Sequence, residues 1–311
     1  MKFDNWERMF GMKFHSKTLT KSLCAAFLAA AALPAASAEA RPYAEVIMNA
    51  DTREVLQKKT SCSQRYADGE CIVYPASMTK MVSAAVVLNE VEKGNISLDD
   101  TVRVSSYAAS IGGSGIGNIR VGYSLSLHEA LGLMAKKSDN KITRAVAEHA
   151  GGSVRNFVRM MNDYVQELGI ENTNFVNPTG WPDSRQRTSA EEMARLYSIM
   201  AENETLSDYF DGRTMVHNNR IYRPTSLVCY NRLEPIALKT GWTNMSGATI
   251  GFVYEADDGF KYTIALFGFP SAYERNRRLM EILDEIEPEA AAERARLGRG
   301  HCPRNGAPAP R

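Results

Sequence analysis

A serine and a lysine three residues apart precede a long apolar stretch of this 311-residue sequence. Residues 74–80 read Tyr-Pro-Ala-Ser-Met-Thr-Lys, which puts Ser77 and Lys80 just ahead of the apolar residues 81–88. Pro75 suits the first turn of a helix, and a helix that is apolar all round is typically buried. Residues three apart share a helix face. In the first turn of the helix the free N–H groups can also stabilise negative charge that develops on the hydroxyl. The spacing therefore predicts a nucleophilic hydroxyl with its own amine base.

Two further motifs follow in order along the chain. Ser138-Asp-Asn140 comes after a predicted helix, and Lys239-Thr-Gly241 ends a predicted strand. Each motif alone is weak, since short patterns arise by chance in a chain of this length. Ser138-Asp-Asn-Lys141 also fits the Ser-x-x-Lys spacing, but it lacks the proline-led start and the apolar helix that follow Ser77. The order of the motifs and their settings favour Ser77.

The helices and strands that must position these motifs are distributed unevenly along the chain. Turn-rich residues separate two short predicted strands near the mature N-terminus, and predicted helices fill the middle of the chain. Three more strands and a closing helix follow, with short turns that predict antiparallel pairing. The fold class is therefore α/β in the α+β sense, an antiparallel sheet of N- and C-terminal strands flanked by helices, with an inserted all-helical lobe. The predicted strands are 44–48, 54–57, 235–239, 248–254 and 261–269; the predicted helices are 126–137, 142–149, 153–168, 190–200 and 273–286.

The ends of the chain carry different signals. Lys13, Lys17 and Lys21 precede the apolar residues 23–33, and Ala-Ser-Ala follows at 36–38. This pattern predicts a cleaved secretory signal peptide at 1–38, because the apolar run is short for a membrane span. Translation could start at Met1 or Met12. We expect a catalytic domain at 39–287, with its helical lobe at about 95–210, and a disordered Ala/Arg/Pro-rich tail at 288–311.

The net charge, the histidines and the cysteines bear on which partners, cofactors and disulfides to expect. A formal net charge of +1 argues against a nucleic-acid partner. The histidines lack the His-Glu-x-x-His spacing of a zinc peptidase, so no metal or other cofactor is expected. In an oxidising compartment the four mature cysteines predict disulfides. A local Cys62–Cys71 pair is the simplest, leaving Cys229 with Cys302, and unpaired buried thiols are the alternative.

Taken together, the three motifs resemble those of the active-site-serine penicillin-binding proteins and serine β-lactamases. Within this group the low-molecular-mass D-alanyl-D-alanine carboxypeptidases look most similar. The resemblance covers residues 44–269 and includes Leu-Gly-Ile-Glu-Asn-Thr-Asn-Phe at 168–175, Thr-Ser-Ala-Glu-Glu-Met at 188–193 and Lys-Thr-Gly-Trp-Thr at 239–243. It implies the penicillin-binding, β-lactamase-like transpeptidase fold, with a cleft between the sheet and the helical lobe.

The resemblance also assigns roles to individual residues. Ser77 is the acylated nucleophile, Lys80 its general base, and Ser138 relays a proton to the leaving amine. Lys80 must lose its proton near neutral pH, so burial and the nearby Lys239 would have to lower its pKa. The expected substrate-binding residues are Asn140, Lys239, Thr240, Gly241, Trp242 and Thr243, with the backbone N–H groups of Ser77 and Trp242 as the oxyanion hole.

The implied activity is removal of the terminal D-Ala from peptidoglycan stem peptides, with β-lactam antibiotics as covalent inhibitors. A D,D-endopeptidase, a serine β-lactamase and an inactive peptidoglycan-binding protein are the alternatives. Glu167 and Glu171 are not followed by the Leu-Asn that accompanies the deacylating glutamate of common β-lactamases, so fast penicillin hydrolysis is not expected. The tail has no apolar face suited to lipid, so a periplasmic enzyme without a membrane anchor after signal cleavage is expected. We also expect the Cys62–Cys71 loop to shape one wall of the cleft.

Overall fold

A computed structural model describes residues 41–224 and 235–288 of the chain. The predicted signal peptide, the Cys229–Cys302 pair and the C-terminal tail lie outside these residues. Within them, no helix is both long and apolar enough to cross a bilayer. No group of three or more His, Cys, Asp or Glu side chains in the same part of the chain could hold a metal ion.

A five-stranded antiparallel sheet is the framework of the fold, as predicted. It consists of β1 (Tyr43–Asn49), β2 (Val55–Ser61), β7 (Ala237–Thr243), β8 (Gly247–Glu255) and β9 (Lys261–Phe269) in the order β2-β1-β9-β8-β7. Strands from both ends of the chain therefore meet in one sheet. The prediction that the Lys-Thr-Gly motif ends its strand is wrong. Pairing with β8, with Gly241 opposite Thr249, extends β7 beyond the motif.

Helices occupy most of the region between β2 and β7. They are α1 (Thr79–Glu92), α2 (Ser106–Ala109), α3 (Leu127–Lys137), α4 (Asn140–Gly151), α5 (Val154–Glu167), α6 (Ala190–Ala201) and α7 (Glu204–Phe210), and α8 (Ala272–Ile286) closes the fold. The region also contains short strand pairs, β3 (Thr101–Arg103) with β4 (Ser124–Ser126) and β5 (Met215–His217) with β6 (Arg220–Tyr222). The predicted all-helical region thus holds a small β-ribbon as well. The predicted capping box is present at the start of α3, where Ser126 and Glu129 bond each other's backbone N–H groups.

Two apolar layers cover the sheet. Residues 79–88 of α1 are all buried, as expected for a helix that is apolar on nearly every face. Together with α3, α4 and α6 they form the larger core on one side. On the other side, Leu279, Ile282 and Leu283 of α8 pack against the apolar residues of β8 and β9. Helix α1 is therefore fixed by burial in the larger of the two apolar clusters.

The loop before the central helix is closed by a disulfide between Cys62 and Cys71, as predicted. Its tip is tied to the segment that follows α5, because Asn172 Nδ2 donates to Asp68 Oδ2 at 2.6 Å. That segment continues to Thr179, whose carbonyl oxygen contacts Lys80. The loop is thus connected to the serine–lysine pair through one intervening segment. Its influence on substrate preference stays a prediction.

A buried carboxylate links β1 to α8. Glu45 is 0% exposed and accepts hydrogen bonds from Arg278 Nη2 at 2.9 Å and from the Tyr43 hydroxyl at 2.7 Å, with Lys59 Nζ at 3.0 Å. Burial raises the pKa of Glu45, but the bonds from Arg278, Tyr43 and Lys59 outweigh it and lower the pKa to about 2. The ionised form is therefore much more stable in the folded protein than in the unfolded chain.

We expect Glu45→Gln to lower the free energy of unfolding by about 3 kcal/mol at pH 7. Because the folded-state pKa is depressed, this stabilisation is fully present above the unfolded-state value and is lost as pH falls through about 2. Urea unfolding of wild type and variant between pH 7 and pH 2.5 measures both effects. Glu255→Gln, at an exposed position at the end of β8, is the control and should change stability by less than about 0.5 kcal/mol. Equal acid sensitivity of wild type and Glu45→Gln would contradict the assignment.

Candidate active site

Ser77 lies on a short 3₁₀ turn, Ala76–Met78, that leads directly into α1. Pro75 caps this turn, so the regular α-helix begins two residues after Ser77, at Thr79, and not at the proline as predicted. Ala76 has φ +47, a left-handed conformation that is uncommon for a residue other than glycine. The turn puts Ser77 at the N-terminal end of a buried helix, where backbone N–H groups are free.

The Lys80 amine is fully buried and has three close oxygen neighbours. Nζ lies 2.9 Å from Ser77 Oγ, 2.7 Å from Asn140 Oδ1 and 2.6 Å from the Thr179 carbonyl oxygen. The carbonyl and amide oxygens can only accept hydrogen bonds. An ammonium would donate to all three oxygens, whereas a neutral amine has two N–H groups for the carbonyl and amide oxygens and a lone pair left for the Ser77 hydroxyl. The contacts therefore place the amine where, once uncharged, it can accept the proton of Ser77.

The electrostatics of the site favour this neutral form. Burial lowers the pKa of Lys80 well below its ordinary value, and the nearby Lys239 lowers it further, against a smaller opposing effect of Asp139. Desolvation disfavours a charged amine, and a second cation adds repulsion. Both effects that the sequence resemblance required are present.

Ser138 stands where two helices meet. It ends α3 in a left-handed conformation, φ 55, and Asp139 then caps α4 by accepting a hydrogen bond from the Ile142 N–H. Asp139 is 1% exposed, so it is a structural residue of the motif. The sharp break turns Ser138 Oγ toward β7, where it lies 3.1 Å from Lys239 Nζ.

A glycine-rich segment at 112–117 covers the Ser-Asp-Asn motif. Asn140 Nδ2 donates to the Gly112 carbonyl oxygen at 2.9 Å, and Asp139 Oδ2 accepts from the Ile116 N–H at 2.8 Å. A Cβ at Gly113 would lie 2.6 Å from Asn140 Nδ2, and one at Gly115 would lie 2.3 Å from Asp139 Oδ2. The segment fits only because it lacks side chains there. Our sequence interpretation missed it, although the glycine spacing was a visible signal.

Strand β7 brings its lysine and glycine against the other two motifs. Lys239 is 2% exposed, and burial, followed by repulsion from Arg275, lowers its pKa to about 7. A Cβ at Gly241 would lie 2.8 Å from Ala76 Cβ and 2.9 Å from the Ser77 nitrogen. The strand therefore passes Ser77 at backbone distance, which explains the glycine.

The remaining predicted residues lie on the same strand with different surroundings. Thr240 is largely buried, and its carbonyl oxygen accepts a bond from Lys239 Nζ at 2.8 Å. Trp242 is 59% exposed at the edge of the sheet. Thr243 forms a 2.8 Å hydrogen bond with Ser246 Oγ in the turn to β8. The structure thus brings together six of the predicted site residues: Ser77, Lys80, Ser138, Asn140, Lys239 and Gly241. The other three, Thr240, Trp242 and Thr243, lie on β7 beside Lys239 and Gly241.

Two contributors were not predicted from the sequence. Thr179 supplies a backbone carbonyl to Lys80, and backbone atoms carry no residue-type signal. Arg275, on α8, is buried, and its Nη1 donates to the Thr249 carbonyl oxygen on β8 at 3.0 Å. It adds positive charge behind Lys239. Only the packing of α8 onto the sheet brings this side chain near the site.

The predicted residues that form this site lie within a stretch of the chain that matches a known protein family. The family model described as D-alanyl-D-alanine carboxypeptidase matches residues 30–266. The chain belongs to the D-alanyl-D-alanine carboxypeptidase family. The carboxypeptidase DacF of Bacillus subtilis is 33% identical over 252 residues, which are 77% of this chain and 60% of DacF. DacA of Escherichia coli K12 is 27% identical over 257 residues, 74% of this chain and 59% of DacA.

The chain is also similar to a protein named an endopeptidase and to a solved penicillin-binding protein. A D-alanyl-D-alanine endopeptidase of Pseudomonas aeruginosa is 26% identical over 236 residues, 73% of this chain and 75% of that protein. The chain spans only about half to three fifths of the first carboxypeptidases that it matches. Penicillin binding protein 5 of Haemophilus influenzae has a similar structure, with a TM-score of 0.70 and 24% identity over 79% of this chain and 70% of that one. This likeness shows the fold.

Proposed function

We propose that the chain is a serine-type D-alanyl-D-alanine carboxypeptidase that removes the terminal D-Ala from peptidoglycan stem peptides. One observation carries the proposal, namely that the fully buried Lys80 Nζ lies 2.9 Å from Ser77 Oγ, with Asn140 Oδ1 and the Thr179 carbonyl oxygen as its other two partners. A serine with an adjacent neutral amine is an activated nucleophile for acyl transfer. Family membership and the fold support the same reaction.

In the proposed reaction Ser77 Oγ attacks the carbonyl of the penultimate D-Ala while Lys80 takes the hydroxyl proton. The carbonyl oxygen then carries negative charge, which the N–H groups of Ser77 and Trp242 stabilise. Ser138 relays this proton from Lys80 to the amine of the departing D-Ala as the peptide bond breaks, which leaves Lys80 neutral again. Water then attacks the acyl-enzyme while Lys80 takes a proton from it. Lys80 returns that proton to Ser77 Oγ as the ester bond breaks, and the shortened peptide leaves.

Substrate binding follows from the same cluster. Lys239 and Thr240 would hold the terminal carboxylate, and the second N–H of Asn140 Nδ2 remains able to bind a substrate carbonyl. Gly241 keeps a side chain out of β7 where the substrate would lie alongside the strand, with Thr243 at the end of the same strand. Glu167 and Glu171 are both exposed. We therefore infer slow deacylation of penicillin, as opposed to β-lactamase activity.

The decisive experiment is intact mass spectrometry after incubation with penicillin. We expect one stable adduct on the wild type and none on Ser77→Ala, and peptide mapping should find the adduct on Ser77. Release of D-Ala from a pentapeptide muropeptide should follow the same pattern. Absence of an adduct would favour the inactive binding protein, and rapid release of hydrolysed penicillin would favour a β-lactamase.

Cleavage of cross-linked peptides is the second candidate function. The observation in its favour is that a relative named a D-alanyl-D-alanine endopeptidase is 26% identical over 73% of this chain. Both reactions would use the same residues. Separate incubation with pentapeptide monomers and with cross-linked dimers, followed by weighing of the products, decides between them.

We further propose export to the periplasm, where this substrate is located. The basic and apolar pattern of the first 38 residues supports a cleaved signal peptide, followed by a catalytic domain at 39–287 and a tail at 288–311. N-terminal sequencing of the protein from a periplasmic extract tests it. We expect the mature chain to begin near residue 39.

The rate of D-Ala release should have a bell-shaped pH dependence. At low pH Lys80 is protonated and cannot act as base, so kcat/KM rises with pH. Above about pH 7 Lys239 loses the charge that holds the substrate carboxylate, so kcat/KM falls again. Lys239→Arg, which keeps its charge, should move the alkaline limb to higher pH at a lower maximal rate. An unchanged alkaline limb in that variant would assign it to another group.

A further inference from the structure

A second cavity lies on the helical region, away from the serine–lysine cluster. It has a volume of about 540 Å³ and opens between β3, the short helix α2 and the junction of α4 with α5. Its polar lining consists mainly of Arg103, Ser105, Tyr107, Glu148, His149 and Arg155. None of these side chains has a part in the reaction proposed above.

The cavity wall carries two exposed arginines and one carboxylate, Glu148. Arg103 and Arg155 are exposed, and within residues 41–224 and 235–288 neither guanidinium forms an ion pair. The nearby carboxylates have other partners, since Glu148 accepts a bond from Ser105 Oγ at 2.7 Å and Asp100 lies 3.1 Å from His149, so neither is paired with the two arginines. Two free guanidiniums on one cavity are suited to bidentate binding of carboxylates.

Neighbouring groups add to this preference. Ser153, on the cavity wall, caps the 14-residue helix α5, so the positive end of that helix faces the same space. Tyr107 is 52% exposed, and the Arg144 guanidinium lies 4.3 Å from its ring centre. The aromatic ring offers an apolar surface beside a third cation. An anionic ligand with some apolar surface fits this combination.

The position of the cavity relates it to the candidate active site. Helix α4 starts at Asn140, which contacts Lys80, and reaches the cavity at Glu148. Eight residues of helix correspond to about 12 Å, a distance that about four residues of extended peptide cover. The cavity therefore begins at a distance from Asn140 that another peptide of the same polymer can span.

We propose that this cavity binds a second, carboxylate-bearing stem peptide of the same peptidoglycan polymer, an inference that rests on the proposed function. Arg103 and Arg155 pair with the carboxylates, and the ring of Tyr107 contacts the apolar part of the peptide. The cavity holds the polymer near the cleft without taking part in the chemistry. It should therefore matter for polymeric peptidoglycan and not for short soluble substrates.

The test is cosedimentation of penicillin-blocked protein with purified insoluble peptidoglycan, so that the main cleft is occupied. We expect an Arg103→Ala/Arg155→Ala double variant to bind at least about ten-fold more weakly than wild type. Amidation of the polymer's carboxyl groups with methylamine should weaken wild-type binding similarly. The control is Arg220→Ala/Arg277→Ala, which removes two exposed arginines on other elements and should bind like wild type. Penicillin acylation and D-Ala release from a short peptide should be unchanged in the Arg103/Arg155 variant.

Equal binding by wild type and the double variant, or undiminished binding to amidated peptidoglycan, would overturn the second site. Failure of the proposed function has a different signature, because no penicillin adduct would form on the wild type. In that case the cosedimentation is carried out with unblocked protein, and the same comparison between variants decides the role of the cavity.

Discussion

Replacing Lys80 by methionine is expected to reduce the rate of penicillin acylation by about 10³-fold, within the usual contribution of a general base. Methionine has a similar volume but no lone pair to accept the Ser77 proton at neutral pH. The variant also leaves Asn140 Oδ1 and the Thr179 carbonyl without a donor, so we expect a loss of about 1–3 kcal/mol in stability as well. Stopped-flow acylation and thermal unfolding separate the two effects.

The Lys80→Arg variant tests whether Lys80 acts as a general base or only as a positive charge that donates hydrogen bonds. Arginine retains donors for Asn140 and Thr179 but stays protonated in proteins, so it cannot accept the Ser77 proton. We therefore expect it to be as slow as Lys80→Met. Lys141→Met, one residue after Asn140, removes a lysine whose one bond within residues 41–224 and 235–288 is to the Ile119 carbonyl, and this variant should acylate at the wild-type rate. Acylation of Lys80→Arg at more than a tenth of the wild-type rate would remove Lys80 as the base.

Gly180→Ala should lower acylation by about 100-fold or more, although residue 180 has no predicted chemical role. Gly180 has φ +80, and a Cβ there would lie 1.7 Å from the Ala76 carbonyl oxygen and 2.8 Å from the Ser77 nitrogen. These are backbone atoms, so the turn that carries Ser77 has to move. A displacement of about 1 Å in a reacting group is enough for an effect of this size.

Gly169→Ala is the matched control for this variant. Gly169 has φ +73, but nothing lies within 4 Å of the added Cβ. Both variants carry the same left-handed backbone strain of about 1 kcal/mol, and only Gly180→Ala collides with the nucleophile turn. Comparison of acylation rates and melting temperatures isolates the collision. If both variants acylated alike, the close packing of Gly180 on Ala76 would have no functional importance.

The outcome for particular elements shows where sequence reasoning succeeded. The α1 helix, the capping box at Ser126 and the antiparallel pairing of β7, β8 and β9 were predicted, because their signals lie within a few residues of each other. The Cys62–Cys71 disulfide was also predicted from its short spacing. The strand through Lys239 was predicted too short, since its continuation depends on pairing with β8 and not on local preference.

The sequence by itself determined the reactive groups and their local order. Ser77 and Lys80 share a helix face because they are three residues apart, and the capping and turn residues around them act over similarly short distances. Only the tertiary structure decided that Lys80 is fully buried, that Thr179 and Asn140 occupy its two donors, and that Arg275 stands behind Lys239. Proton affinity depends on desolvation and on charges brought together from distant parts of the chain, which no local pattern encodes.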